Sequence, residues 1–271
     1  MTPLAGPPFL SLATLGVAAS LLLAQAAISI AFRLGLERTL GVAAVRMVAQ
    51  LGVIGFVLKL VFEQASGWWT LLLATVMIGA ATWEVSARQS TRFRGLVAYG
   101  FGGGLMLLSG GLTTLLAVGF LLGADPWYSP RVLLPILGMI LGNAMTGVAL
   151  TLDSLTHAAR RERAGIEARI ALGQPRFEAF AAPLRHALRT GLMPIINSMA
   201  AAGIVSLPGM MTGQILSGVD PVEAAKYQLL IMVLIAGATA LGVLGAGLGG
   251  VHLLTDARHR LRLDRLEAAV P

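Results

Sequence analysis

The stretch "YQLLIMVLIAGATALGVLGAGLGGVHLL", residues 227–254, contains no Asp, Glu, Lys or Arg. The apolar slab of a bilayer is about 30 Å thick, and about 20 helical residues cross it. A run this long and this apolar is read as a membrane-spanning helix, and the chain around it reads the same way. Of its 271 residues, 56% are hydrophobic and 12% charged, too few charges to coat a soluble globule. Six further spans are expected at 9–32, 47–62, 68–86, 96–122, 132–152 and 191–216. The fold class is therefore all-α: a polytopic membrane protein of about seven transmembrane helices, forming a single domain over 1–271.

The arginines set the orientation. All Lys and Arg except Lys59, Arg131 and Lys226 fall in four segments, 33–46, 87–95, 153–190 and the tail from Asp256. Seven spans put those four segments on one side, and the positive-inside rule makes that side cytoplasmic. The N-terminus is then outside and the C-terminus inside. The leader "MTPLAGPP" has no basic residue, so the first span is read as an uncleaved helix and not a signal peptide. "LGLERTLGVAAVR", residues 34–46, is too charged to cross and is expected to lie along the cytoplasmic interface before turning into the membrane at Met47.

Several chemistries are excluded. The net charge of +7 is a topology signal between spans and does not indicate nucleic-acid binding. With no cysteine there is no thiolate site. The histidines His157, His186, His252 and His259 show no metal-ligand spacing. No G-x-x-x-x-G-K-[ST] stretch exists to cradle phosphates, so the chain has no P-loop of its own, and any ATP dependence, with its Mg, must come from a partner. Glycines four apart, Gly100 with Gly104, Gly138 with Gly142 and Gly245 with Gly249, each put two small residues on one helix face, where helices can pack closely.

Residues 153–190 form the longest loop, "DSLTHAARRERAGIEARIALGQPRFEAFAAPLRHALRT". Its first part has helical charge patterning, Gly173 and Pro175 interrupt it, and a second short helix follows. Phe177 and Phe180, beside that turn, are expected to stand exposed as a docking knob.

The stretch "GIVSLPGMMTGQILSG", residues 203–218, places special residues inside the sixth span. Pro208 removes a backbone donor and Gly209 loosens the helix, a break tolerated in a membrane where it faces protein or a water-filled cavity. Met210, Met211 and Gln214 follow it, with Asn197 and Met199 upstream and Asn143 and Met145 in the fifth span. These residues form a candidate transport pathway of amide oxygens, freed carbonyls near Val205 and Ser206, and thioethers; the mixture selects no particular metal. The alternative is a packing kink with amides bonded between helices. Glu84, near the end of the third span, is a further candidate, unless it only pairs with Arg88 four residues on.

"EARIALG", Glu167–Gly173, with Pro194 downstream, resembles the coupling loop of ABC transporter permeases. Together with "RMVAQLGVIGFVL" (46–58), "MILGNAMTGVAL" (139–150) and "LMPIINSMAAAGIVSLPGMMTGQILSGVDPVEAAKYQ" (192–228), it resembles the FetB-type permeases, the bacterial iron-export family related to plant aluminium-tolerance proteins. The resemblance implies a permease homodimer in membrane lipid, working with two copies of a separate ABC ATPase that docks on Glu167, Ala168, Gly173, Phe177 and Phe180. Arg169 departs from the family's alanine at the third position of that motif. The implied cargo is iron or another metal ion. Two other functions stay open: a permease for an organic solute such as a nucleotide sugar, and a membrane-embedded enzyme acting on lipid, for which no acid–base cluster converges within the spans.

Overall fold

The computed structural model describes residues 11–64 and 66–268; the leader and the first two residues of the expected first span lie outside them. Helix α1, Leu12–Ala31, starts at Ser11, whose Oγ accepts from the Thr14 N–H at 3.1 Å. Helix α2, Glu37–Gln64, is continuous. The expected surface helix with a turn at Met47 is therefore corrected. No proline lies between Glu37 and Gln64, and the glycines there each cost only about 1 kcal/mol of helix propensity. Helix α3 is Gly67–Ala87 and α4 is Leu96–Leu121, with π-helical turns at Leu107–Leu112 and Ala117–Leu121.

Helix α5, Pro130–Arg161, runs well past the expected end of the fifth span. Then come α6, Arg163–Ala171, the single turn α7, Arg176–Ala179, and α8, Ala181–Ala201. Helix α9 is the short Gly209–Leu216, and α10 is Pro221–Leu253. Among the described residues six helices are long and apolar enough to cross a membrane: α1 to α5 and α10. The segment expected as the sixth span is instead the broken pair α8 and α9.

Helices α5, α8 and α10 pack at the centre. Their approach depends on glycines that have no room for a side chain. A Cβ on Gly191 of α8 would collide with Thr151 Oγ1 and stand 2.7 Å from the Gly147 carbonyl of α5. One on Gly242 of α10 would stand 2.9 Å from Val148 Cγ2 of α5. Gly250 meets Leu155 and Leu152 further along, so α5 and α10 run in the same direction and α8 runs against them. Ile140, Leu155, Val148, Ile231 and Val243 are fully buried in this seam. Helices α3 and α4 flank it; Gly138 of α5 faces Met77 of α3, and Gly245 of α10 faces Leu105 of α4. Helices α1 and α2 are peripheral and largely exposed, with Val61 the one α2 residue buried.

The chain is not purely helical. Thr91–Phe93 (β1) pairs antiparallel with Leu266–Ala268 (β2), Phe93 opposite Leu266. This ribbon joins two of the arginine-rich segments. Arg92 Nε donates to Glu267 at 2.9 Å, and the Arg94 N–H donates to the Arg265 carbonyl at 2.9 Å. Ser90 donates twice to Asp153 Oδ1, at 2.8 and 2.7 Å, tying in the start of the long loop. Arg265 Nη1 donates to the Leu253 carbonyl at 2.8 Å, giving the C-terminus of α10 the cation that helix end favours. In the tail, the hydrogen bond from Arg262 holds the Asp264 carboxyl down at about 2.

Candidate functional site

The sequence-derived residues fall in three places. The first is the turn between α6 and α7, which projects at the arginine-rich end. Helix α5 stops at Glu162, and α6 starts there. Ile166, fully buried, anchors α6, while Glu167 and Ala168 point outward and Glu167 accepts from Arg163 Nε at 2.9 Å. Helix α6 closes with two bonds, the Gly173 N–H to the Ile170 carbonyl at 2.9 Å and the Gln174 N–H to the Arg169 carbonyl at 3.1 Å. This is the Schellman arrangement, and it needs a left-handed residue after the cap. Gly173 supplies it at φ +90°.

The exposed apolar residues on this knob are Leu172, 85% exposed, and Phe177, 45% exposed. Phe180 is fully buried, which corrects its expected place on the docking surface: it sits where α7 runs into α8 and belongs to the core. Leu172 was missed; a leucine between Ala171 and a turn glycine gives no signal of which way it points. Arg169 also finds a role. Its Nη1 donates to the Ala179 carbonyl and so ties α6 across the turn to the end of α7. The base of the turn is held by the end of α10 and by the tail. Arg176 donates from its backbone N–H and Nε to His259 Nδ1, at 3.3 and 3.1 Å, and its Nη1 lies 2.9 Å from His252 Nδ1.

The second place is the break between α8 and α9. The sequence puts it at Pro208 and Gly209; in the structure Gly209 begins α9 and Pro208 is its N-cap residue. The chain leaves the helix earlier, at Ala202, and turns at Gly203, φ +88°. The Ala201 carbonyl accepts from the Val205 and Ser206 N–H groups, and the Ser206 carbonyl accepts from the Gly203 N–H at 2.9 Å. The Ser206 carbonyl is thus engaged, not free as expected. Ile204, Val205 and Leu207 are exposed here.

Depth follows from helix rise. Gly191 stands level with Val243 of α10. Asn197 is six residues on, about 9 Å, which places it level with the middle of α10. Asn197 and Met199 are exposed. With His186, Arg189, Thr190, Met193 and Pro194, Asn197 lines a recess of about 580 Å³ along α8. On α9, Met210 packs against the core, Met211 is half-buried, and the Gln214 Oε1 is buried without a hydrogen-bond partner.

The third place is a groove between α2, α3 and α5, away from α8. Glu84 lies there between two arginines, accepting from Arg46 Nη2 at 3.2 Å and from Arg88 Nε at 3.3 Å. Arg88 also donates to Thr146. Met145 lines the same groove, whereas Asn143 donates to the Met139 carbonyl of its own helix at 2.9 Å. The pairing of Glu84 with Arg88 is legible in the sequence; Arg46, 38 positions away, is not. Glu84 and Met145 therefore stand together, but apart from Asn197, Met199 and the α9 residues. Among the described residues no three His, Cys, Asp or Glu side chains gather as a metal site.

The sequence model of the uncharacterised protein family UPF0014 matches residues 12–253. The chain is 31% identical to "Probable iron export permease protein FetB" of Escherichia coli, across 94% of this chain and 96% of that protein. It is 35% identical to "UPF0014 membrane protein STAR2" of Oryza sativa subsp. japonica, across 82% of this chain and 76% of the relative. With "Protein ALUMINUM SENSITIVE 3" of Arabidopsis thaliana the identity is 34%, across 71% and 68%. No solved structure matches.

Proposed function

Because this chain belongs to the UPF0014 family of multi-pass membrane proteins, we propose that it is the permease subunit of an ATP-driven exporter of iron or another metal ion. Two copies span the membrane, and two copies of a separate ATPase bind at the arginine-rich, cytoplasmic end and bring the ATP and Mg. The likeness to a relative named as an iron export permease runs nearly end to end and supports both the role and the cargo. The observation that carries the coupling is the α6–α7 turn. It presents Leu172 and Phe177 outward on a mount made stiff by the buried Ile166, the Arg169 bond to Ala179 and the histidine clasp on Arg176. Movement of an attached partner would pass through Ala179 and Phe180 directly into α8.

The pathway runs along the exposed face of α8 and the break that follows it. An amide turned toward hydrocarbon without a partner costs several kcal/mol. Asn197 is exposed level with the middle of α10, so that face is covered by water or by a second copy of the chain. A pathway between two copies, lined by Asn197, Met199 and the polar groups of α9, meets that requirement. Pro208 and Gly209 serve it by starting α9 after the break. An organic solute is the second reading; it is favoured by the lack, among the described residues, of a three-ligand His, Cys, Asp or Glu cluster.

The test is Gly173→Val. A Cβ there meets nothing within 4 Å, but the backbone is at φ +90°, where a β-branched residue is a steric outlier. The variant inserts and stays folded, and loses permease-stimulated ATP hydrolysis by the partner. Full stimulation in that variant contradicts the coupling assignment.

A further inference from the structure

The groove beside α2 has a form that the transport reading does not use. It encloses about 880 Å³ and is lined on both sides by apolar residues, among them Val53, Ile54 and Val57 of α2 and Leu73 and Val76 of α3. At one end the lining changes to Arg46, Gln50 and Glu84, continuous with a second recess of about 500 Å³ that adds Arg88 and Trp83. Arg46 also lies over the Trp83 ring, 5.8 Å from its centroid. Two arginines against one glutamate leave this end with a net positive charge.

The dimensions fit one ligand class. From Arg46 to Val57 is eleven residues, about 16 Å of helix, close to half of a hydrocarbon core about 30 Å thick. The groove is thus one leaflet deep, apolar along its length, and cationic where the headgroups lie. Trp83 stands at that boundary, the depth that tryptophan favours. Helix α2 meets the bundle through little buried surface: none of its membrane-crossing window is buried. The gap between α2 and α3 therefore needs a filler, since an unfilled apolar space forfeits contacts on both walls.

We propose that this groove binds an anionic phospholipid of the leaflet on the arginine-rich side. One acyl chain lies between α2 and α3, and the phosphodiester sits against the Arg46 and Arg88 guanidinium groups. Glu84 holds the two guanidiniums in place from behind. The site is independent of what the permease carries, and it moves Glu84 and Met145 from the pathway to a lipid site.

The experiment is native mass spectrometry of the full-length protein in detergent, titrated with phosphatidylglycerol or phosphatidylcholine. One tightly retained phosphatidylglycerol per chain is expected at concentrations where phosphatidylcholine is lost. Each cation near an anionic headgroup contributes roughly a fivefold preference, so Arg46→Gln with Arg88→Gln should lower retention by about tenfold or more. Ala80→Phe fills the groove, which Ala80 lines at both its apolar and polar ends, and leaves both arginines. It should also abolish retention. Equal retention of the two lipids, or undiminished phosphatidylglycerol binding by Ala80→Phe, overturns the proposal. Because the chain has no cysteine, Val53→Cys tests the groove as a contact between copies. Efficient disulfide formation between two copies would show a second chain in place of the lipid and would also overturn it.

Discussion

At the scale of single residues, the close approach of helices rests on glycines that spacing alone does not identify. Of the pairs four apart, Gly100 and Gly104 have nothing within 4 Å of a built Cβ, and Gly142 likewise. Gly245 and Gly249 do face neighbours, Leu105 and Phe101 of α4. The tightest contact joins Gly191 to Thr151 and Gly147 across two helices, and its partners are far apart in the chain. Gly191→Ala should therefore destabilise the protein by about 1–3 kcal/mol, the usual cost of overpacking. Gly100→Ala should be neutral or stabilising by up to about 1 kcal/mol through helix propensity. Unfolding of the two variants in detergent checks this; equal stability would mean that the α5–α8 seam is looser than described. The same limit on local reading explains Phe180. A sequence shows two phenylalanines beside a turn, but burial is decided by which side of α7 meets the bundle.

At the scale of elements, helix existence was legible and continuity was not. The apolar runs mark α1, α3, α4 and α10, with ends within six residues of the helices observed. Helices α2 and α5 extend beyond the apolar run, because charged residues continue a helix as readily as leucine does. The break between α8 and α9 is legible as a break, through the proline and glycine, but it begins at Ala202, several residues before Pro208. The residue that forces the turn is Gly203 at φ +88°, and a lone glycine in an apolar run does not declare its φ. Left-handed backbone costs an L-residue on the order of 1–2 kcal/mol. Gly203→Val should thus distort the turn and lower transport, read as loss of metal tolerance in cells that depend on the protein, while insertion persists. Asn197→Leu should lower transport in the same assay, since it keeps bulk and removes the oxygen. If both variants confer normal tolerance, the segment is a structural kink and the pathway lies elsewhere.

At the scale of the whole molecule, the charge distribution carried more than topology. The segments 87–95, 153–190 and the tail were grouped only by their arginines, and the structure joins them through the β1–β2 ribbon, the Ser90–Asp153 bonds and the histidine clasp. The ribbon itself was not legible: two three-residue strands separated by most of the chain give no periodic signal. Orientation follows the same grouping, and the cysteine-free chain makes it easy to test. Ser217→Cys should react with an impermeant thiol reagent applied to intact cells, and Gly165→Cys should not; the reverse pattern would put the arginine-rich end outside. The central claim, that the chain exports metal with iron as its cargo, is tested most directly by the iron content of cells loaded with iron, compared with and without this protein. Cells lacking it should hold more iron, with normal content restored by the unaltered chain and not by Gly173→Val. Equal iron content in the presence and absence of the protein would contradict it.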